Sequence, residues 1–145
     1  MPISLATKSD LNEIYKVQPN AFEASVTVPH RLTKEEIQNL SQMALEDGAH
    51  YYALKKDNQL IGYTMLAVKE DNLTGDKYGF IYELYVMPKF RKLGYGKQLI
   101  AFTKQHFKQL GYDKIRLNVY VGNAAQQLYK SCGFEERNIT LQLEL

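Results

Sequence analysis

The segment Phe80-Ile81-Tyr82-Glu83-Leu84-Tyr85-Val86-Met87-Pro88-Lys89-Phe90-Arg91-Lys92-Leu93-Gly94-Tyr95-Gly96-Lys97-Gln98-Leu99 constrains this chain more than any other. Its first half is apolar, β-branched and aromatic, which suits a buried strand. Pro88 closes that run, because proline brings no N–H to a ladder. A basic turn with two glycines follows, and Leu99, Ile100, Thr103, Phe107 and Leu110 then recur on one helical face until Gly111. The order is strand, turn, helix. A helix start leaves backbone N–H groups without partners and carries the positive end of the helix dipole. A glycine turn there, ringed by Lys89, Arg91, Lys92 and Lys97, suits a phosphate or pyrophosphate. The same glycines would also serve a plain tight turn. The third glycine of the dinucleotide fingerprint and the Gly-Lys-Ser/Thr ending of the nucleoside-triphosphate loop are both missing, which sets those two motifs aside.

The flanking sequence puts this unit into one α/β domain spanning 1–145. Ile3 to Ala6 form a short strand candidate. Ser9 and Asp10 can cap a helix from about Leu11, with Leu11, Ile14, Tyr15 and Phe22 on its buried face and an interruption by Pro19 near Gln18. Thr33 and Glu36 make a capping box for a second helix, whose Ile37, Leu40, Met43 and Ala44 share a face until Gly48. The join from Pro19 to Leu32, with Phe22, His30 and Arg31, is placed to line a pocket. His50–Leu54 and Gln59–Val68 read as strands around the turn Lys55-Lys56-Asp57-Asn58, and a third strand begins near Tyr78, giving an antiparallel meander. Ile115, Leu117, Val119 and Val121 alternate with polar partners. Following a crossover helix, that strand should lie parallel to the Phe80 strand. Asn123 then caps a helix over Ala124 to Ser131, and the alternation Ile139, Leu141, Leu143, Leu145 reads as a last strand. The expected architecture is a mixed, mostly antiparallel sheet of about seven strands flanked by about four helices.

Composition narrows the partners. The 145 residues are enough for one sizeable core, and a net charge of +2 without a basic run argues against nucleic acid. Cys132 is the single cysteine, so no disulfide closes within the chain. Neither a basic-then-apolar leader nor an apolar run of membrane-spanning length is seen. A soluble cytoplasmic protein is expected, with neither nucleic acid nor membrane as partner, and a homodimer is compatible with the sequence.

A strand that stops pairing at Pro88, just before an anion-binding turn, leaves backbone amides and carbonyls free for an extended ligand with amides of its own. Pantetheine, with a pyrophosphate at its far end, is such a ligand. The segment Leu84-Tyr85-Val86-x-Pro88-x-x-Arg91-Lys92-x-Gly94-x-Gly96 resembles the acetyl-CoA-binding motif of the GNAT N-acetyltransferase superfamily, whose turn reads Gln/Arg-x-x-Gly-x-Gly/Ala. The later run Leu117-Asn118-Val119-Tyr120-Val121-Gly122-Asn123-Ala124-Ala125-Gln126-Gln127-Leu128-Tyr129-Lys130-Ser131-Cys132-Gly133-Phe134 is similar to that family's second strand-helix motif, in the right order and at the right separation.

The resemblance implies roles. Backbone groups of Leu84, Tyr85 and Val86 would hold the pantetheine arm of acetyl-CoA. The turn Arg91, Lys92, Leu93, Gly94, Tyr95, Gly96 and Lys97 would hold its pyrophosphate, Asn123 would flank the arm, and Tyr129 would protonate the departing thiolate. Ser131 stands where relatives often have lysine, so that position lends no charge to the nucleotide end. The reaction implied is transfer of the acetyl group from acetyl-CoA to a primary amine by direct attack in a ternary complex, without a metal.

An amine that titrates near 10 must lose a proton to attack. Glu83 is the candidate base, as the one carboxylate between Phe80 and Met87 and in a setting that should raise its pKa. A buried glutamate held by lysine or tyrosine for structural reasons is the alternative. Some relatives carry the base three positions earlier, which is Phe80 here, and alternation would put Phe80 and Glu83 on opposite faces unless the strand bulges. Tyr82 or an ordered water could serve instead. Cys132 has no histidine in its motif to activate it, and His30, His50 and His106 lack ligand spacing.

The acceptor would enter between the Pro19–Leu32 join, the Phe80 strand and the Glu135–Asn138 turn. There Glu83 and some of Tyr51, Tyr52, Tyr63, Tyr82, Tyr85 and Tyr120 would meet a cationic amine. A small-molecule amine is expected first. A protein or peptide amine, or a non-catalytic acyl-CoA sensor, are the alternatives.

Overall fold

A computed structural model describes residues 3–26 and 32–145. His30 and Arg31, placed by sequence at the pocket, lie outside the described residues.

β1 (Ile3–Leu5) leads to Thr7, whose side chain accepts the Asp10 N–H while the Asp10 carboxylate accepts the Thr7 N–H. This capping box starts α1 (Lys8–Ser25) earlier than the expected Ser9–Asp10 cap, because Asp10 serves as the returning carboxylate rather than as the cap. Helix α1 also runs straight through Pro19. A mid-helix proline costs about 3 kcal/mol. Burial of Ile14 and Ala21 on either side, together with the hydrogen bonds of buried Gln18, offsets it. The Thr33–Glu36 box opens α2 (Lys34–Glu46) as expected.

β2 (His50–Lys56) and β3 (Gln59–Glu70) form a hairpin whose Asp57 and Asn58 both take positive φ, the geometry of a type I′ turn. β4 (Lys77–Val86) follows, then a single 3₁₀ turn at Pro88–Phe90 and α3 (Tyr95–Gln109). β5 (Ile115–Leu117) and α4 (Ala125–Ser131) complete the elements. The sheet order is β1-β2-β3-β4-β5, antiparallel except for the parallel β4–β5 pair that the crossover helix demands. None of the described helices is long and apolar enough to cross a membrane.

Among the described residues the sheet has five strands, not about seven. β5 ends at Leu117, and the alternating residues 139–145 take no strand conformation. Alternation prepares a segment for a sheet, but strand geometry needs a neighbouring backbone to bond, and this segment has none in the chain's own sheet.

Each face of the sheet carries a core. Ile14, Ala21, Ala44, Tyr51, Tyr63, Met65 and Tyr85 pack beneath α1 and α2. Leu54, Ile61 and Leu99, with Leu66, Ile81 and Phe107, pack beneath α3. The expected stripe on α3 is buried at Leu99, Ile100, Thr103 and Phe107, whereas Leu110 is exposed beside Gly111.

Candidate active site

The ladder between β3 and β4 pairs Met65 with Glu83 but Leu66 with Ile81, so Tyr82 is an extra residue on β4. This bulge shifts the alternation by one. Ile81 and Leu84, three apart, consequently share the α3 face, while Glu83 and Tyr85 turn to the α1–α2 face beside Tyr82. Phe80 meets the Tyr82 ring edge-on, with centroids 4.9 Å apart. The parity conflict between Phe80 and Glu83 is removed by that one residue.

Glu83 is half-buried and held on both oxygens. Tyr63 Oη donates to Oε1 at 2.9 Å, Tyr51 Oη donates to Oε2 at 3.3 Å, and Gln18 Nε2 lies 3.3 Å from each oxygen. Gln18 Nε2 also reaches Tyr51 Oη at 2.6 Å and Ser41 Oγ at 3.0 Å. Burial pushes the Glu83 pKa above the ordinary carboxylate range, and the donated hydrogen bonds oppose that shift. Burial and the neighbouring carboxylate together push the Tyr51 and Tyr63 hydroxyls well up, so both stay protonated donors. Sequence reasoning missed Gln18 and Ser41. The available signal was a polar residue on a buried helical stripe, since Gln18 follows Ile14 and Ser41 follows Ile37 by four.

Glu83 opens onto a cavity of about 570 Å³. Its walls are Phe22 of α1, Leu40, Ser41, Met43 and Ala44 of α2, and Met65 and Tyr82 of the sheet, with Glu46 and Asp47 at the end of α2. Leu40 and Met43, on the helical face expected for α2, are 45% and 65% exposed because they face this cavity. The Tyr82 hydroxyl donates to Asp47 Oδ2 at 3.1 Å, and Glu46 accepts from Gln42 at 3.1 Å. Three carboxylates therefore share the cavity wall with no lysine or arginine among its described residues. The carbonyl end of α2, without a basic residue in its last turn, adds to the negative field.

Of the six tyrosines, Tyr51 and Tyr63 bond Glu83 and Tyr82 lines the cavity. Tyr52 does not, because its parity on β2 sends it to the opposite face against Phe102 and His106. Tyr85 is in the core under the Arg91 guanidinium, and Tyr120 lies outside the cavity, half exposed. The Glu135–Asn138 turn is also absent from the cavity wall.

On the other side of Glu83 the sheet opens. β4 and β5 pair only at Gly79–Ile115, Phe80–Arg116 and Ile81–Leu117, so Leu84, Tyr85 and Val86 have no ladder partner toward β5. The Val86 carbonyl accepts from Arg91 Nε at 3.0 Å. The turn ends at Gly94, whose φ of 87° is left-handed, and no side chain caps α3. The N–H groups of Tyr95, Gly96 and Lys97 precede the first intrahelical bond, from Gln98 N–H to the Gly94 carbonyl. Uncapped N–H groups next to an open strand edge fit a pyrophosphate continued by an amide-bearing arm. Gly96 serves packing as well, since a Cβ there would stand 2.9 Å from Leu128 Cδ2. Lys92 also takes positive φ, while Leu93 projects into solvent.

Asn123 lies one residue before the N-cap position of α4, which is Ala124, so the expected cap is shifted by one: Asn123 Oδ1 accepts the Ala125 N–H at 2.9 Å in the turn that leads into the helix, and Nδ2 donates to the Ser25 carbonyl at 3.2 Å, tying this turn to the end of α1. Tyr129 packs edge-on against Phe134, and burial pushes its hydroxyl up to about 12. It is not among the residues lining the cavity. Ser131 turns its hydroxyl back to the Leu128 carbonyl at 2.7 Å.

A meander that ends in a splayed parallel pair, with an uncapped helix start on one side and a half-buried carboxylate on the other, has the architecture of an acetyltransferase. Residues 11–134 match the family model described as the acetyltransferase (GNAT) family, and the chain belongs to that family. It is 26% identical over 117 residues to the uncharacterized N-acetyltransferase YycN of Bacillus subtilis, covering 79% of this chain and 74% of that protein. It is 29% identical over 94 residues to the [ribosomal protein bS18]-alanine N-acetyltransferase of Haemophilus influenzae, covering 63% and 60%. Among solved structures, a putative acetyl transferase from Pyrococcus furiosus superposes with a TM-score of 0.81 at 23% identity, over 99% of both chains. An aminoglycoside N-acetyltransferase, AAC(6')-Iy, in complex with CoA superposes with a TM-score of 0.75 at 19% identity, over 99% of this chain and 93% of that one.

Proposed function

We propose that this acetyltransferase moves the acetyl group of acetyl-CoA to a primary amine of a small cationic molecule, by direct attack in a ternary complex. The observation that carries the reading is the cavity in which half-buried Glu83 is held by Tyr51, Tyr63 and Gln18 while Glu46 and Asp47 guard the end of α2. Such a cavity attracts an ammonium and offers it a carboxylate at depth. The acyl-CoA thioester supplies the activated acetyl group when bound. Leu84 and Val86 align the pantetheine arm through the open edge of β4, and the N–H groups of Tyr95 to Lys97 neutralise the pyrophosphate, with Arg91 and Lys97 adding charge. Asn123 fixes the start of α4 beside the arm.

Glu83 takes the proton that the ammonium must lose, directly or through one water. A raised pKa brings its basicity closer to that of the amine, while the tyrosine hydroxyls hold its orientation. Tyr129 returns a proton to the thiolate, and a hydroxyl at about 12 keeps that proton throughout the neutral range. The aminoglycoside enzyme among the structural neighbours supports a small-molecule acceptor by analogy.

Thiol release from acetyl-CoA measured against amines, aminoglycosides and N-terminal peptides tests this reading. Turnover with small amines is the expected result. Preference for peptides would move the acceptor class to proteins, and tight coenzyme A binding without turnover on any amine would make the chain a sensor.

A further inference from the structure

We infer that Ser41 is a positioning residue for Glu83 and acts through Tyr51: its oxygen takes the Tyr51 hydroxyl proton while Glu83 carries the proton removed from the amine. The inference rests on Glu83 being the base, as proposed above. The Tyr51 hydroxyl has one proton and two acceptors at the same 3.3 Å, Glu83 Oε2 and Ser41 Oγ. Gln18 Nε2 stands 2.6 Å from the same hydroxyl. An amide nitrogen only donates, so it occupies a lone pair of Tyr51 and leaves the phenolic proton to serve one of the two acceptors.

An ionised Glu83 takes that proton. A protonated Glu83 instead has a proton to place, and Tyr51 Oη lies within reach of Oε2. Tyr51 accepts it by turning its own proton to Ser41, a rotation about one C–O bond. Burial keeps the Tyr51 hydroxyl protonated in both states. Both states are thus fully bonded. Without the Ser41 oxygen, the protonated state would leave a buried hydroxyl proton with no acceptor.

Ser41 has no local reason to be polar. It shares the buried stripe of α2 with Ile37 and Ala44 and is 6% exposed, where a hydroxyl costs stability unless it is bonded. Helical serines and threonines commonly return the hydroxyl to the carbonyl four residues back, as Ser25 and Thr103 do here. Ser41 bonds across to two other elements instead. It accepts from Gln18 Nε2 of α1 at 3.0 Å, faces Gln18 Oε1 at 3.4 Å, and meets Tyr51 of β2.

The other titratable and charged groups around this cluster are Tyr63 of β3 on Glu83 Oε1, with Tyr85 against it, and Tyr15 of α1, edge-on to Tyr51. On the cavity side stand Tyr82, bonded to Asp47, and Glu46, with Lys69 of β3 5.0 Å from the Tyr82 ring centroid. None of these bonds the Tyr51 hydroxyl, so none replaces Ser41 as its second acceptor.

Titration of Glu83 in the full chain tests the inference, by ¹³C NMR of glutamate labelled at the side-chain carboxyl, with Glu83→Gln identifying the resonance. Ser41→Ala is expected to move the Glu83 midpoint down by about half a pH unit to one pH unit, the opposite direction to Tyr63→Phe. Ser41→Thr keeps the hydroxyl and should restore the wild-type midpoint. In a Tyr51→Phe background the effect of Ser41→Ala should vanish. A midpoint that stays in place or rises in Ser41→Ala, or a shift of the same size without the Tyr51 hydroxyl, overturns the proposal. Thermal melting shows which variants fold. Should Ser41→Ala fail to fold, Ser41→Cys, whose sulfur is a weak acceptor, is titrated in its place and read the same way. The kcat/KM profile is recorded separately. An acid limb that does not follow the Glu83 midpoint, or absence of turnover on any amine, would overturn the base role, while the titration alone decides the link between Ser41 and Tyr51.

Discussion

The Tyr63 hydroxyl donates to Glu83 Oε1 at 2.9 Å, from the position two residues before Met65, the ladder partner of Glu83 on β3. This bond favours the ionised carboxylate, against the burial that disfavours it. Removing the hydroxyl should therefore raise the Glu83 pKa further. A hydrogen bond to a charged group contributes about 1.5–3 kcal/mol, or roughly one to two pH units. In Tyr63→Phe the acid limb of the kcat/KM profile should move up by about one unit or more. A limb that stays in place would mean that another group sets it.

Glu83→Gln should lower kcat by about 10²- to 10⁴-fold, the usual contribution of a positioned general base. It also carries a stability signature of opposite sign. Because the folded pKa is raised, Glu83 contributes stability below its unfolded value that is lost as pH rises through the folded one. The melting temperature of the glutamine variant minus that of the wild type should therefore grow between pH 4 and pH 8. A constant difference would contradict the burial of an ionisable Glu83.

Tyr129→Phe keeps the ring against Phe134 and should leave the melting temperature nearly unchanged. Loss of the proton donor should reduce kcat about 10²-fold, with KM for acetyl-CoA little altered. An acyl donor with a more acidic thiol should restore much of the loss. Retention of kcat within a few-fold would remove Tyr129 from the chemistry.

Gly94→Ala isolates backbone conformation, since a Cβ there meets nothing within 4 Å while φ is +87°. Left-handed geometry costs a non-glycine residue roughly 1–2 kcal/mol. Its effect should appear as a lower melting temperature and a several-fold higher KM for acetyl-CoA, with kcat nearly kept.

Asp71 accepts hydrogen bonds from Arg116, Arg137 and the N–H groups of Leu73 and Thr74, and the Arg116 guanidinium with the two backbone N–H groups holds its carboxyl well below the usual range. With a depressed folded pKa, its contribution is present above the unfolded value and is lost as pH falls through the folded one. Asp71→Asn should melt lower than the wild type at pH 7, and the gap should narrow below about pH 3.

The motif-bearing parts of this chain were legible because their signals are local. The glycine turn, the Thr33–Glu36 box and the α3 stripe are set by neighbours along the chain, and the structure carries the first two and the stripe from Leu99 to Phe107. What resisted reading was relational. The bulge at Tyr82 is invisible without its partner strand, so the facing of Glu83 stayed open. Pro19 looked like a break because the buried bonds of Gln18 lie 23 and 33 residues away. The helical spacing of Leu40 and Met43 with Ile37 and Ala44 could not separate a packed wall from the lining of a cavity.

The bulge makes β4 behave as two strands in different phase. Residues 79–81 keep the rhythm that fits β5, and residues 83–86 keep the opposite rhythm. Deleting Tyr82 alone would restore plain alternation, with Ile81 toward α3, Glu83 toward the cavity and Leu84 toward α3, so both halves would keep their facing. The extra residue therefore sets how many side chains the strand gives to the cavity: Tyr82 and Glu83 stand there side by side, where an unbroken strand would offer one.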